Sequence, residues 1–123
     1  MSVTARDSTA HQVRAALEWL GRLRADERLL LFINVSATHP PHAHYLPGAT
    51  EDSPASHAAA LAYVDRQLPP LFAALQRRGP VLAVVCSDYG TAYGEGGYRG
   101  HRLAHPVVWT VPYAELLLPQ VLP

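Results

Sequence analysis

Lysine is absent. All ten basic residues of this 123-residue chain are arginine, which excludes Schiff-base lysine chemistry and the lysine of phosphate-binding loops. Cysteine is reduced to one, Cys86, so an internal disulfide and any multi-cysteine metal site are excluded as well. Neither sign of charge is in excess, because ten acidic residues balance the ten basic ones. That excludes the sustained positive field by which a domain holds nucleic acid or an anionic membrane surface. Long apolar runs are missing too: a run such as Leu29 to Ile33 falls far short of the roughly 20 residues that span a bilayer. Met1 to Asp7 carry no apolar core of the signal-peptide kind, and the expected location is the cytoplasm. What is present is ample apolar material, 49% of residues against 16% charged, in a length that suits one domain. This composition predicts a folded globular chain and not a disordered one.

Periodicity predicts the elements. Val13, Ala16, Leu17, Leu20 and Leu23 recur at helical spacing, which predicts a helix over Thr9–Ala25, with Thr9 and Gln12 as a capping box. Leu29 to Val35 reads as a strand covered on both faces. Ser36 to Pro54 is a long loop, rich in proline and histidine. Ser53 and Pro54 then make a good helix start. An apolar stripe through Ala58, Leu61, Ala62, Val64, Leu68, Leu71, Phe72 and Leu75 carries that helix to Arg78, interrupted at Pro69 and Pro70. Val81 to Cys86 reads as a second buried strand, Ser87 to His105 as a glycine-rich loop, and Val107 to Val111 as a third strand before a leucine-rich tail. This order predicts an α/β fold with a small, mostly parallel sheet in a single partial domain. Three strands and two helices are few for a sheet that needs cover on both faces, a first hint that the chain is part of something larger.

In an open α/β sheet, ligands bind beyond the carboxyl ends of the strands. The first loop brings His39, His42 and His44 to that edge, and the second brings Asp88, Glu95, His101 and His105. Imidazoles and carboxylates from two converging loops suit a divalent metal or an anion. Of these, Asp88 at the mouth of a strand is the best placed ligand. His42 and His44 read as solvated loop residues, His105 as structural, and Glu95 as a partner of backbone amides in the glycine loop. His11 and His57 read as exposed helix positions, Asp65 as a mid-helix ion-pair partner, and Cys86 as a small buried hydrophobe.

Three stretches carry a resemblance. Val84-Val85-Cys86-Ser87-Asp88-Tyr89-Gly90, then Tyr93-Gly94-Glu95-Gly96-Gly97-Tyr98, then Gly100-His101, resemble the carboxyl-terminal metal-binding motif of sulfatases and the wider alkaline phosphatase superfamily. Val111-Pro112 matches the strand that follows it in that family. Leu31 to Val35 with Thr38-His39-Pro40-Pro41 resembles the family's strand and Pro-His-x-Pro substrate loop, and Ala58 to Leu75 the helix after it. The resemblance implies the carboxyl-terminal half of a three-layer αβα sandwich. It implies Asp88 and His101 as ligands of a divalent metal (zinc, manganese or calcium) and His39 as a contact to a small anionic ester, a sulfate, phosphate or phosphonate.

Two departures from the family pattern bear on activity. Tyr89 stands where the family has a second histidine ligand, which weakens or abolishes the metal site. The half that carries the family's nucleophile is absent, so the chain by itself has no catalytic residue to assign. The resemblance therefore implies a partner chain or self-association. It leaves open a non-catalytic binding or scaffolding module of the same descent, and a histidine-rich loop that binds metal in an unrelated way.

Overall fold

The computed structural model describes residues 6–122, so most of the Met1–Asp7 segment lies outside the described residues. The chain divides into two compact units. One runs up to Gly79 and takes in Val121 and Leu122 again; the other is Pro80–Gln120.

The first unit is helical. Helix α1 spans Ser8–Leu20, shorter than the predicted Thr9–Ala25. Past Gly21 the backbone tightens into i to i−3 bonds, with Arg22 N donating to Trp19 O and Leu23 N to Leu20 O, and the Arg24–Asp26 ion pair (2.6 Å) fixes the turn that follows. The predicted Thr9–Gln12 capping box does not form. Asp7 is the N-cap, Thr9 is buried, and Gln12 Nε2 donates instead to Asn34 O at 2.7 Å. Helices α2 (Pro54–Gln67) and α3 (Pro69–Arg78) meet at the proline pair, as predicted, because neither proline offers the amide that would continue α2. The Ser53 cap is as predicted: Ser56 N donates to Ser53 Oγ (3.2 Å) and Ser53 N to Ser56 Oγ (2.8 Å). Val13, Ala16, Leu20 and Leu71 form the core, and Leu17, Leu23, Leu29, Leu31, Ile33, Leu68 and Leu75 pack around it. The predicted α2 stripe is partly wrong, since Leu61 and Ala62 face solvent while Ala60 is buried.

The expected first strand is not in a sheet. Residues 29–35 run extended with alternating burial, Leu29, Leu31 and Ile33 on the core and Leu30 (95% exposed) and Phe32 (85% exposed) in solvent. No strand among the described residues pairs with it.

The second unit is β-rich. Strand β1 (Val81–Cys86) pairs antiparallel with β4 (Tyr113–Leu118), in register from Val81 opposite Leu118 to Cys86 opposite Tyr113. Between them, β2 (Ala92–Tyr93) and β3 (Arg99–Gly100) form a small antiparallel hairpin. The chain is thus mixed α/β, but the mostly parallel sheet is corrected to two antiparallel pairs. The physical cause lies at Val107–Val111. His105 caps Val107 N through Nδ1 (3.2 Å), and Pro106 sits at the first helical position, so Pro106–Trp109 turns into a single helical turn, α4. The leucine-rich tail then takes the strand position beside β1. That strand is not buried as predicted: Leu82, Val84 and Val85 are exposed, and so is Cys86. No helix among the described residues is long and apolar enough to cross a membrane.

Gly90 is the tightest point of this unit. Its amide donates to Val108 O at 2.7 Å, and a Cβ there would stand 2.0 Å from Val107 O, against backbone that cannot swing away. Gly90→Ala is therefore expected to destabilise the second unit by roughly 1–3 kcal/mol or more. Amide exchange in β1 and β4, measured against Leu71→Ala as a control in the other unit, checks this; wild-type exchange rates would contradict it.

Candidate functional site

In the second unit, β1 delivers Ser87 and Asp88 to its carboxyl end. Ser87 N donates to Pro112 O (3.3 Å), and its hydroxyl donates to Tyr89 O (2.6 Å). That fixes the turn and leaves the Asp88 side chain in solvent. The Tyr89 ring stacks on His101, with centroids 4.4 Å apart and planes 20° off parallel. Burial, and then the Asp88 carboxylate, push the Tyr89 phenol above its usual range, with Arg102 opposing. The phenol therefore keeps its proton at neutral pH. It is a packing surface for His101 and not an anionic oxygen donor.

The rest of the glycine loop is occupied with itself. Glu95 accepts from Tyr93 N at 2.5 Å. Hydrogen bonds from its own amide and from that of Tyr93 hold its carboxyl below the usual range. This is the backbone role predicted for it. His105 is structural, as predicted, though it caps a helical turn and does not open a strand.

In the first unit, His39 is exposed; its amide donates to Ser36 O (3.0 Å), and Nδ1 lies 2.6 Å from Pro40 O. His39 belongs to one unit and Asp88 and His101 to the other. Asp88 and His101 share one loop through Tyr89. As a donor set for a divalent metal they supply one carboxylate and one imidazole. Among the described residues no three His, Cys, Asp or Glu side chains gather into a metal-holding group. Four or more donors are needed, so these residues fit the ion only in part.

The histidine that matters most to the first loop is one read as solvated. His42 is 0% exposed. Its amide and that of Ala43 both donate to Asp52 Oδ1 at 2.7 Å. Its Nδ1 lies 2.9 Å from Ser56 Oγ and 3.5 Å from Asp52 Oδ1, and His57 stacks on the ring at 4.9 Å. The Ser56 hydroxyl donates to Ser53 O (3.0 Å), which assigns the imidazole proton to Nδ1, donating to Ser56. Asp52 thus acts as an anchor for a one-turn 3-10 helix, Ala43–Tyr45, and Ser56 joins that turn to the start of α2. The resemblance to a Ser-His-Asp triad is superficial, since Ser56 is fully buried and its proton points to backbone. The sequence held one clue, the Ser53-Pro54 helix start that closes the histidine-bearing loop, with Asp52 just before it.

No protein-family model matches the sequence, and no curated protein and no solved structure matches it significantly.

Burial holds His42 and His57 below their ordinary value of 6.5; the Asp52 carboxylate opposes this, and at His42 the neighbouring His57, His44 and His39 add to it. Above about pH 6.5 both states of the chain carry neutral imidazoles, and the packing contributes in full. As pH falls below 6.5 the unfolded chain takes up protons that the folded chain resists, so stability is lost. Denaturant unfolding between about pH 8 and pH 5 is expected to show that loss, with a shallower slope in His42→Gln and a cost of about 1–3 kcal/mol at neutral pH. An identical slope in the variant would contradict the assignment.

Proposed function

We propose that the chain is the carboxyl-terminal portion of a sulfatase- or phosphatase-like ester hydrolase whose nucleophile comes from a partner chain. In this reading Asp88 and His101 contribute two donors to a divalent metal, zinc, manganese or calcium. The metal would supply charge neutralisation at the transferring group. The contribution of this chain is to hold its donors still. Asp88 sits on a turn pinned by Ser87, and the Tyr89 ring fixes the plane of His101.

The observation that supports the reading most is the coincidence of Asp88 and His101 about one aromatic ring. A second supports its partner: residues 29–35 are extended, apolar and unpaired by any strand among those described. Covering Leu30 and Phe32 would contribute roughly 1.5–3 kcal/mol each, and a partner's strand would also satisfy the backbone edge. Tyr89 itself favours a second reading, a binding module of the same descent in which the missing imidazole leaves the site without metal.

Equilibrium dialysis against zinc, manganese and calcium separates the two. The hydrolase reading expects weak, saturable binding of one ion, lost in Asp88→Ala and in His101→Ala, and strengthened about tenfold or more in Tyr89→His. No binding of any of the three ions, or binding unchanged in both alanine variants, would remove the hydrolase reading.

A further inference from the structure

A cleft of about 510 Å³ opens in the first unit between the amino-terminal end of the described chain, the 3-10 turn and α2, lined by Arg6, His44, Tyr45, Pro47, Tyr63 and Arg66. Its volume lies within the range of small-molecule sites. It uses none of Asp88, His101 or His39, and it does not rest on the hydrolase reading.

The chemistry of the lining is one-sided. Two arginines face it and no carboxylate does. Of the acids adjacent to these arginines in sequence, Asp7 is engaged by His11 at 3.3 Å and Asp65 is exposed on α2, and neither lines the cleft. Arg6 spends one of its donors on the His44 carbonyl, and a guanidinium has five. Arg66 lies one helical turn beyond Tyr63, exposed, on the same side of α2. His44 Nε2 is buried and has no hydrogen-bond partner among the described residues.

The other half of the lining is flat. Tyr45 and Tyr63 stack at 4.9 Å with planes 28° apart. Each hydroxyl is anchored to backbone, Tyr45 Oη donating to Arg6 O (3.0 Å) and Tyr63 Oη accepting from Ala10 N (3.3 Å). The rings are therefore held in place. Burial pushes the Tyr45 phenol above its usual range, so it brings no negative charge against an incoming anion.

We propose that this cleft binds a small aromatic oxyanion, a flat ring bearing a phosphonate, phosphate, sulfate or carboxylate group. The anionic group is held by Arg6 and Arg66, and its ring lies against Tyr45, Tyr63 and Pro47. Charge-assisted bonds to guanidinium supply the affinity and its orientation, and the aromatic wall supplies preference for a ring over a bare ion.

Isothermal titration of the whole chain with phenylphosphonate tests this, with inorganic phosphate standing in for its anionic half and benzyl alcohol for its aromatic half. Saturable binding of phenylphosphonate is expected, with each half alone weaker by about tenfold or more. Arg66→Gln, at an exposed position that leaves the fold intact, is expected to weaken phenylphosphonate by about tenfold, and Tyr63→Leu to reduce its advantage over phosphate. Absence of saturable phenylphosphonate binding, wild-type affinity in Arg66→Gln, or phosphate bound as tightly as phenylphosphonate would each overturn the proposal.

Discussion

An extended segment that pairs with no strand among the described residues governs how the first unit is built. Leu29, Leu31 and Ile33 complete the core around Val13, Leu20 and Leu71, so the segment cannot leave without opening that core. Its alternate residues, Leu30 and Phe32, then have nowhere to go but solvent. The period of two in a strand makes this unavoidable: fixing one face on the core presents the other face outward. A side-chain bond from Gln12 to Asn34 O is what one neighbouring helix can offer a backbone edge, and it is far less than a ladder. The exposed Leu82, Val84 and Leu117 of the β1–β4 pair repeat the same condition in the second unit. Two-stranded pairs are marginal without a covering layer, which is the physical ground for reading the chain as one part of an assembly.

The histidine- and proline-rich loop is ordered by polar contacts where the core cannot reach it. Asp52 gathers the amides of His42 and Ala43, and Ser56 ties the imidazole to the first turn of α2. That places His44 and Tyr45 against Tyr63 and builds the basic, aromatic cleft. The cleft and the loop are consequently one device, since the contacts that order the loop also set two of the residues that line the cleft.

What could be read in advance was what local chemistry decides. Ser53-Pro54 announces a helix start, Pro69-Pro70 a break, and Glu95 a partner for glycine-loop amides, because each needs only its immediate neighbours. The errors came where distant partners decide. Val107–Val111 has strand composition, yet a cap from His105 and a proline at the first helical position outweigh it. The strand partner of β1 is the leucine tail, whose pairing no local pattern announces. His42 looked solvated because its partners stand ten and fourteen residues away. Arg6 and Arg66, at opposite sides of that loop in sequence, carried no signal of a common cleft.

Site-resolved amide hydrogen exchange of the dilute chain over residues 29–35 tests the central claim most directly. If no strand covers that segment within the chain itself, its amides exchange close to the rate of an unfolded peptide, while those inside α1 and α3 are protected. Slow exchange through Leu30 to Asn34 in a dilute monomer would mean that the chain completes its own sheet, and the reading of an incomplete, partner-requiring fold would be wrong.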